Sequence, residues 1–430
     1  MGILGDNVKD MYNKAKTFKV LRGVDESLDL MLKSLQIVDL DRSEISVSES
    51  LHCFCAEQAL SNQDSPPYNR SAVDGYAVIS DDILSSSTTN PTTLEVIQEI
   101  SAESSREIIK PLSNGEASIV YTGSPLPKNS DSVVMVEDTK VEGSSVIVYK
   151  PVSPWQNISR KGEDFEKGSV VVEKGILIRP WHLAALLSAG KVKVKVFRRL
   201  RVGVLSTGSE LKGSLSPSDD GVIDTTKPLI LSLIREEFCD PVDLGTAPDN
   251  VGIIESKIRQ ALSKVDLIIT TGGTSVGATD LVREAITRLD NSTVLFHGVR
   301  MRPGRPTGLA AVQGKAIFML SGYPVAAFTG FEVFVKSAIH LIRGSKSLPS
   351  PMIGAYLSRR LAKPVGVKAF VRVNVKKGSD GKHYVEPLRL TGSGLLSTLT
   401  RGNGLLIMEE GLEGYDEGEN VDVMLFQPIG

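Results

Sequence analysis

Residues 265–280 of the sequence, VDLIITTGGTSVGATD, place an apolar run directly before a glycine-rich loop and a final acid. Loops of this kind bind anions, because successive backbone N–H groups can point at one negatively charged ligand. The spacing from Gly272 to Thr279 follows the nucleotide-loop pattern G-x-x-x-x-G-K-[ST], but Ala278 occupies the lysine position. The loop is therefore either a plain glycine-rich turn or an anion cradle whose positive charge comes from elsewhere.

Two arginines one strand further along the chain could supply the missing charge. The stretch RMRPGRPTG at 300–308 places Arg302 and Arg305 on either side of a Pro-Gly turn, and two prolines restrict its backbone. A guanidinium group binds oxyanions and phosphates through a planar fork of N–H donors. We therefore expect the backbone N–H groups of residues 272–277 and these two guanidinium groups to form one anion site.

Two further polar loops, STGSE at 206–210 and LSGYPVA at 320–326, also follow apolar runs. Ligands of an open α/β sheet bind outside the carboxyl ends of its strands, so all four loops would meet at one edge. Four such loops favour a binding site over a set of unrelated surface turns. The candidate binding residues in them are Ser206, Thr207, Gly208, Gly272, Gly273, Thr274, Ser275, Gly277, Arg302, Arg305, Ser321, Tyr323 and Pro324.

Three carboxylates, Glu210, Asp224 and Asp280, are expected at the same edge. Carboxylates fit an anion site when they share a cation with the ligand, and Mg²⁺ bridging carboxylates and phosphates is the usual arrangement. The three acids are therefore candidates for sharing a Mg²⁺ ion with an anionic ligand. Both aspartates have an alternative role as the N-cap of a following helix. No histidine is expected near these loops, so a Ser/His/Asp triad is not predicted.

The elements that would position these loops alternate between strands and helices from about residue 200 to residue 343. Apolar runs such as LRVGVLSTG and KAIFMLSG alternate with helical stretches, including 250–263 and 324–342. This alternation predicts a parallel, doubly wound sheet. Short β-like runs between polar loops at 68–150 predict a separate β-domain. Strand-like runs with many glycines after residue 345 predict another.

Length and composition limit the class of protein. The chain has 430 residues, of which 41% are hydrophobic and 23% charged, as in an ordinary globular protein with several domains. Its net charge of −2 provides no bulk field that would recruit nucleic acid or an acidic membrane. We identify no stretch that approaches the ~18 apolar residues of a membrane helix and no signal core at the N-terminus. Three cysteines in so long a chain indicate a reduced, cytoplasmic protein.

Eight short motifs of the sequence carry a family resemblance. They are PPYNRSAVDGYAV (66–78), TGSPLP (122–127), RKGEDF (160–165), LSTGSEL (205–211), IDTTK (223–227), TTGGTSVGATD (270–280), RPGRP (302–306) and SGYPVAAF (321–328). In this order they resemble the MoeA-type molybdopterin molybdenumtransferases, which are similar to the E domain of gephyrin. Eight ordered motifs make the resemblance specific.

The resemblance implies a multidomain α/β plus β fold. Its expected parts are an elongated, discontinuous linker domain at 1–62 and 157–198, an inserted β-domain at 63–156, a three-layer doubly wound α/β molybdopterin-binding domain at 199–343 and a C-terminal β-barrel at 344–430. It also implies a homodimer with active sites between subunits.

The resemblance further implies an activity in molybdenum cofactor biosynthesis. The family inserts molybdate into the dithiolene of adenylylated molybdopterin, and AMP leaves in a Mg²⁺-dependent hydrolysis. Tungstate is the alternative oxyanion. A pterin adenylyltransferase, which would supply the adenylylated substrate, is a candidate partner.

Family roles carry over to individual residues, which we predict as catalytic. Asp74 in SAVDGY matches a functional aspartate of the β-domain, Thr122 matches the threonine of the TG-x-P loop, and Asp164 matches the acid of the GED motif. The acids of the α/β domain that hold Mg²⁺ and the pterin nucleotide match Glu210, Asp224 and Asp280, and the resemblance implies Asp224 and Asp280 as the Mg²⁺ ligands.

The oxyanion contacts of the family carry over as well. Arg302 and Arg305 occupy the positions of the two lysines in the family's KPGKP motif, which contact molybdate. Arg372, in FVRVNV, and Ser397 match oxyanion contacts of the C-terminal domain.

Three departures from the family pattern lie around the expected anion site. The family's PGNPVS reads SGYPVA at 321–326, its DSN or DTN reads DTT at 224–226, and Ser209 replaces the loop acid of GDEL. These changes leave open a tungstate-specific inserter or a non-catalytic dimeric scaffold. A pterin adenylyltransferase is a further alternative, which the additional domains disfavour. The retained acids disfavour a pure scaffold.

Overall fold

The computed structural model describes residues 21–212, 221–273, 280–345, 350–388 and 392–429. Within these ranges the chain forms two units. Residues up to 41 and from 197 onward form one unit, and residues 42–196 form the other. The first unit contains an α/β domain and a C-terminal barrel, and the second consists mainly of β-sheets.

The α/β domain is built on a six-stranded sheet in the order β2-β1-β3-β6-β5-β4. Its strands are β1 (Arg201–Thr207), β2 (Asp240–Ala247), β3 (Leu267–Thr271), β4 (Ser292–His297), β5 (Gly308–Val312) and β6 (Lys315–Leu320). Neighbouring strands among β2, β1, β3 and β6 are parallel. The apolar runs of β1, β3 and β6 are buried, as expected for strands that helices cover on both faces.

Helices cover both faces of this sheet, which gives three layers. They are α1 (Thr226–Glu236), α2 (Val251–Leu262), α3 (Leu281–Thr287), α4 (Pro324–Gly330) and α5 (Lys336–Arg343), and the π-helical turn Phe331–Val335 joins the last two. Helices α2 and α3 pack together over one cluster of buried side chains, which includes Ile258, Ile286 and Ile317. Helix α1 packs against α4. The earlier helix Val24–Ser34 contacts α5 and β4.

The predicted parallel, doubly wound sheet is present but has an antiparallel edge, because β5 pairs antiparallel with both β6 and β4. The stretch that contains β4 and β5 was not predicted as strands. A tight turn between β5 and β6 explains the pairing, since Gln313 and Gly314 both have positive φ angles, of 50° and 80°. Two such residues make the kind of turn that connects antiparallel strands.

The expectation that no stretch approaches the length of a membrane helix also needs correction. Pro324–Arg343 is 20 residues long with a hydropathy of 1.5, but 72% of its apolar window is buried inside the structure. Its last turn makes buried polar contacts. The His340 Nε2 atom lies 3.1 Å from a carboxylate oxygen of Glu237, and Arg343 donates to the Glu237 carbonyl oxygen at 2.7 Å. These contacts identify a core helix of the α/β domain.

The C-terminal domain is a closed barrel of five strands. They are Met352–Leu357, Lys368–Lys377, His383–Pro387, Gly404–Met408 and Asn420–Leu425. The strand Lys368–Lys377 closes the ring, because it pairs with both His383–Pro387 and Gly404–Met408. Outside the ring, Leu361–Ala362 pairs with Gly414–Tyr415, and a short helix spans Ser397–Thr400.

One main-chain pairing attaches the barrel to the arginine loop of the α/β domain. The short strand Met301–Arg302 runs parallel to the start of the barrel strand Lys368–Lys377, with Met301 opposite Lys368 and Arg302 opposite Ala369. This pairing fixes Arg302 beside the strand that carries Arg372.

The second unit contains a six-stranded mixed sheet, a three-stranded sheet and two strand pairs. The six strands, in sheet order, are Ser132–Met135, Gly75–Val78, Glu116–Val120, Thr92–Ile100, Ser145–Val148 and Thr139–Glu142. The three-stranded sheet consists of Arg42–Ser46, Lys193–Phe197 and Phe54–Cys55, and the pairs join Ala59–Leu60 to Val170–Val172 and Arg70–Ser71 to Ile158–Ser159. The helix of this unit is Pro180–Ser188. The strands of the three-stranded sheet therefore come from before and after the six-stranded sheet in the sequence, so the six-stranded sheet is an insertion between them.

The carboxylate of Asp266 holds the starts of β1 and β3 together. It accepts two hydrogen bonds from the Arg198 guanidinium, at 2.7 and 2.9 Å, and a third from the Arg201 backbone N–H at 2.8 Å. Burial alone would raise the pKa of the Asp266 carboxyl, but these donors hold the pKa below its usual value. Since the register of β1 against β3 decides where both strands end, this anchor helps to position the loops at their other end.

We expect Asp266→Asn to lower the free energy of unfolding by about 2 kcal/mol at pH 7, the value of a charge-assisted hydrogen bond. Because the folded-state pKa is depressed, the stabilisation is complete above the unfolded-state pKa of about 4 and is lost as the pH falls through the folded-state pKa. Urea unfolding at several pH values should therefore show the two proteins converging in acid.

Asp290→Asn is the control for this prediction, because Asp290 forms an exposed ion pair with Arg259 at 3.1 Å. It should change the unfolding free energy by less than about 1 kcal/mol. Equal effects of the two substitutions at pH 7 would contradict the proposed anchor.

Candidate functional site

A large open cavity of about 1360 Å³ lies at the carboxyl ends of β1, β3 and β6. This is the place where the strand order reverses, and ligands of open α/β sheets bind there. Residues of the barrel complete the wall. The predicted residues that line the cavity are Thr207, Gly208, Glu210, Asp224, Gly272, Gly273, Arg302, Arg305, Ser321, Tyr323, Pro324 and Arg372. The fold therefore brings acids, glycines and arginines from four loops and a second domain into one cavity.

The first two glycines of the cradle are required by a close approach of backbones. Gly272 has a φ of +84°, and a Cβ atom on it would lie 2.3 Å from the carbonyl oxygen of Thr207. A Cβ atom on Gly273 would lie 2.5 Å from the hydroxyl oxygen of the same threonine. On the other side, Gly322 approaches Gly272, with 3.2 Å between its Cβ position and the Gly272 Cα. The three loops thus pack main chain against main chain.

The Asp224 carboxylate links the end of β1 to the start of α1. One oxygen accepts from the backbone N–H groups of Thr226 and Lys227, at 3.1 and 3.0 Å, and the other accepts a short hydrogen bond from the Ser206 hydroxyl. The capping alternative for Asp224 is therefore present in the structure, and the residue also lines the cavity. Ser206 itself is fully buried beneath the site and is not part of the lining.

The Glu210 carboxylate is in a different situation. It is exposed at the cavity and lies over Gly208, whose Cβ position is 2.8 Å from both carboxylate oxygens. Within the described part of the chain, no hydrogen-bond donor or cation contacts this carboxylate. Of the three predicted acids, Glu210 is therefore the one whose oxygens remain available to a ligand or cation.

Asp280 is paired with a histidine, which the sequence analysis did not expect. One Asp280 oxygen accepts the Arg283 backbone N–H at 3.1 Å and so caps α3, and the other lies 2.7 Å from Nε2 of His297. The His297 side chain is only 8% exposed. It reaches Asp280 because β4, which ends in this histidine, has its carboxyl end at the same edge as β3. The expectation that no histidine lies near these loops is wrong, since the strand that brings it was missed.

The arginines form a basic wall on the barrel side of the cavity. Arg302 and Arg305 are exposed, whereas Arg372 is fully buried among barrel residues. Burial lowers the pKa of Arg372, and the nearby positive charge of Arg302 lowers it further. Arg372 donates to the Thr398 hydroxyl at 3.2 Å and to the Phe370 carbonyl oxygen at 3.3 Å. Like charges held this close favour a bound anion between them.

The barrel loop at the cavity contains Ser393 instead of the predicted Ser397. Gly392, Ser393 and Gly394 line the cavity, and the Ser393 carbonyl oxygen accepts the Val325 N–H at 2.9 Å. Ser397 begins the short helix of the barrel and is not part of the lining. The sequence signal for Ser393 is its place between two glycines, at a point where a loop must approach another backbone closely.

Thr274, Ser275 and Gly277 lie outside the described residues. The predicted roles of these three residues as ligand contacts therefore stay predictions.

Three predicted residues belong to the second unit. Asp74 and Thr122 meet there, because one Asp74 oxygen accepts the backbone N–H of Thr122 at 2.7 Å and its hydroxyl at 2.9 Å. These two hydrogen bonds hold the pKa of the exposed Asp74 carboxyl below its usual value. Asp164 is also exposed, in a turn whose backbone N–H donates to the Ser65 carbonyl oxygen at 3.0 Å.

The donor set can be tested against the predicted Mg²⁺. Across the described ranges, no group of three His, Cys, Asp or Glu residues could enclose a metal ion. Mg²⁺ commonly takes only one or two carboxylates and completes its shell with phosphate oxygens and water. The available carboxylate of Glu210 fits this type of site. Both oxygens of Asp224 accept hydrogen bonds, whereas Oδ2 of Asp280 lies 2.7 Å from His297 Nε2 and has no hydrogen-bond partner among the described residues.

Comparisons with known proteins cover most of the chain. Three family models match: the MoeA N-terminal region (domains I and II) at residues 22–190, a probable molybdopterin-binding domain at 203–341 and the MoeA C-terminal region (domain IV) at 354–426.

Relatives and solved structures agree with these models. A protein of Methanocaldococcus jannaschii named for molybdopterin biosynthesis is 37% identical over 89% of this chain and 92% of its own length. The molybdopterin molybdenumtransferase of Bacillus subtilis is 34% identical over 89% of both chains. The crystal structure of the molybdopterin biosynthesis protein MoeA from Pyrococcus horikoshii matches with a TM-score of 0.82 and 32% identity, over 95% of this chain and 100% of that one. The fold predicted by resemblance is therefore confirmed.

We expect Gly272→Ala to reduce binding of a pterin nucleotide to the cavity, because its Cβ would collide with Thr207 and push the two loops apart. Gly314→Ala is a matched control, since Gly314 also has a positive φ, of +80°, but nothing lies within 4 Å of its Cβ position. Both variants should lose about 1–2 kcal/mol of unfolding free energy from the left-handed backbone alone. Only Gly272→Ala should lose more unfolding free energy than this, as measured by urea unfolding. It alone should also weaken binding when the protein is titrated with the pterin nucleotide. Equal behaviour of the two variants would contradict the close-packing argument.

Proposed function

This chain belongs to the MoeA family of molybdopterin molybdenumtransferases and acts in molybdenum cofactor biosynthesis, and we propose that it inserts molybdate or tungstate into the dithiolene of adenylylated molybdopterin with release of AMP. The observation that carries the proposal is one cavity whose lining contains Glu210 and Asp224 of the α/β domain together with the arginines of the loop and barrel. The acidic side could bind a phosphate-containing pterin through a shared cation, and the basic side could bind a separate oxyanion.

The α/β side of the cavity holds the pterin nucleotide. The packed glycines Gly272, Gly273 and Gly322 leave the main chain bare, so that a phosphate can approach backbone N–H groups. Asp224 contributes by fixing the first turn of α1, whose remaining N–H groups face the same edge. Thr207 and Ser321 line this side and offer hydroxyl groups.

The barrel side holds the oxyanion. Arg302, Arg305 and Arg372 provide positive charge, and Ser393 provides a neutral hydrogen-bond donor. Planar guanidinium forks in place of the family's lysines bind a tetrahedral oxyanion through paired N–H donors. The arginines and the departures at 321–326 could change which oxyanion the site prefers. The preference between molybdate and tungstate should therefore be measured directly.

Glu210 is the proposed carboxylate ligand of Mg²⁺, together with phosphate oxygens of the substrate. The predicted ligands Asp224 and Asp280 would act beside it, through the oxygens that now accept from Ser206 and face His297. When bound, the ion neutralises charge on the phosphate oxygens of the departing AMP.

The wider setting follows from the same family membership. We propose a homodimer in which Asp74 and Thr122 of one subunit complete the cavity of the other. The substrate would be supplied by an adenylyl-transfer reaction on molybdopterin, and an adenylyltransferase is the candidate partner. The cysteines Cys53, Cys55 and Cys239 form no disulfide, which suits a reducing cytoplasm.

The test is incubation of the purified protein with adenylylated molybdopterin, Mg²⁺ and either molybdate or tungstate. We expect oxyanion-dependent release of AMP, measured by chromatography, together with a metal-containing pterin. A parallel incubation with molybdopterin and ATP separates the alternatives. Formation of the AMP adduct would identify an adenylyltransferase. The absence of a reaction in both mixtures would favour the non-catalytic scaffold.

We expect Asp280→Asn to slow AMP release by about 10–100-fold, the usual loss when the partner of a metal or substrate group is changed. Asparagine can still cap α3 through its carbonyl oxygen, so the thermal unfolding midpoint should stay unchanged. It cannot provide the negative charge that faces His297. Normal turnover at ordinary Mg²⁺ would show that Asp280 acts only as a cap.

We expect a mixture of Asp74→Ala and Asp280→Ala proteins to recover activity that neither has alone. A mixed dimer would contain one cavity with all its residues intact if the sites are shared between subunits. Subunit exchange should be verified by native mass spectrometry. Proven exchange without any recovery would argue against shared sites.

A further inference from the structure

Tyr323 places an aromatic ring in the lining of the large cavity, directly after the loop that ends β6. The residue is 62% exposed, and its exposed surface borders this cavity. Among the lining residues that the structure describes, Tyr323 is the only aromatic one. The other described walls consist of glycine main chain, carboxylates, guanidinium groups, hydroxyl groups and aliphatic side chains. A flat ligand ring therefore meets one aromatic surface in the described part of the lining.

The backbone that carries this ring is fixed by local contacts. Tyr323 is the N-cap residue of α4, and its carbonyl oxygen accepts the Ala327 N–H at 2.9 Å. Its own N–H donates to the Ser321 hydroxyl at 3.2 Å. Pro324 opens the helix and restricts the backbone of the residue before it to extended conformations. A rigid element thus presents the ring, and a ligand that binds it orders only two side-chain torsions.

Neighbouring residues place Tyr323 between the glycine cradle and the barrel loop. Gly322, the residue before it, approaches the cradle, since its Cβ position lies 3.2 Å from the Gly272 Cα. The Gly322 carbonyl oxygen also accepts the Thr226 hydroxyl at 2.6 Å. On the barrel side, Cδ1 of the Tyr323 ring lies 3.4 Å from the Cβ position of Gly394. One edge of the ring therefore packs against a glycine, which leaves room beside it.

The rest of the Tyr323 side chain is available to a ligand. Within the described ranges, no aromatic ring or cation packs on the ring, and no hydrogen bond reaches its hydroxyl group. Tyr384, an exposed tyrosine of the barrel, shows the contrast. Its hydroxyl donates to Asp380 at 2.8 Å, and its ring centroid lies 6.1 Å from that of Tyr356. Aromatic rings attract flat partners in offset-stacked arrangements, so Tyr323 can offer its ring to a planar ligand.

We propose that Tyr323 is the aromatic platform of the cavity, on which a flat bicyclic nitrogen ring of the substrate stacks. The identity of that ring rests on the proposed function, because adenylylated molybdopterin contains two such rings, the pterin and the adenine. Stacking of a heterocyclic base on an aromatic side chain changes affinity by about 5–150-fold. Tyr323 would therefore make the site specific for ligands that carry a flat ring as well as phosphate.

The position of Tyr323 favours the pterin over the adenine. In adenylylated molybdopterin the dithiolene lies between the phosphates and the pterin, whereas the adenosine lies beyond the phosphates on the other side. Tyr323 lies between the cradle proposed for the phosphates and the barrel side proposed for the oxyanion. The oxyanion must reach the dithiolene, so the pterin is the ring expected in this place.

The experiment is a pair of titrations of the full-length protein, one with a free fluorescent pterin and one with AMP. Pterin emission is quenched when the ring stacks on an aromatic side chain, and AMP binding is measured by calorimetry. We expect Tyr323→Leu to raise the Kd of the pterin by about 5–150-fold and to remove the quenching, while Tyr323→Phe retains both. Since the side chain is exposed, both variants should keep the wild-type thermal unfolding midpoint.

Tyr384→Leu is the matched control, because it removes an exposed tyrosine that is not part of the described cavity lining. It should leave the Kd of both compounds unchanged. Steady-state AMP release gives a second readout, in which Tyr323→Leu should raise the KM for adenylylated molybdopterin by the same factor. The oxyanion concentration for half-maximal rate should stay the same, which separates ring binding from a general disturbance of the site.

The outcomes separate the platform from the proposed function. A larger effect of Tyr323→Leu on AMP than on the pterin would support the platform and assign it to the adenine. An unchanged Kd for both compounds together with an unchanged KM would overturn the platform and leave the proposed function intact. A wild-type protein that binds the pterin through Tyr323 but releases no AMP with any oxyanion would overturn the proposed function and leave the platform intact.

Discussion

The pairing of Met301–Arg302 with the start of the barrel strand Lys368–Lys377 is the constraint on which the site depends. Two backbone segments from different domains share one sheet edge there, and the arginine loop cannot move independently of the barrel. Because of this pairing, Arg302 and Arg372 line the same cavity. The basic side of the cavity is therefore a property of the interface between domains, and neither domain alone contains it.

Positive charge on this side is held against a considerable electrostatic cost. Arg372 is buried, and the nearby positive charge of Arg302 adds to the cost of keeping it charged. Such groups destabilise the folded protein unless an anion joins them. A structure that accumulates cations in this way gains stability from ligand binding, since the anion supplies the partner that the protein withholds.

The acidic side follows the opposite principle. One carboxylate oxygen of Asp224 and one of Asp280 accept backbone N–H groups in the first turn of a helix. Their second oxygens lie next to Ser206 and His297, respectively. Their positions are therefore fixed before any ligand arrives. Glu210, which lacks such partners among the described residues, retains the freedom to follow a substrate. Rigid acids beside one adaptable acid suit a site that must accept a phosphate-containing ligand and then release part of it.

The sequence by itself determined the parts of this protein that depend on local patterns. Alternating apolar and helical segments predicted the doubly wound sheet, because burial on both faces requires continuous apolar strands. Glycine loops after those strands predicted the edge at which the cavity lies, and eight ordered motifs predicted the family.

Only the tertiary structure decided which side chains meet. His297 reaches Asp280 through an antiparallel edge strand that the alternation did not reveal, and a main-chain contact with Val325 brings Ser393 to the cavity. Arg302 and Arg372, 70 positions apart in the sequence, line one cavity because one strand pairing joins two domains. Contacts of this kind depend on the order in which strands pair, and the spacing of residues along the sequence does not reveal that order.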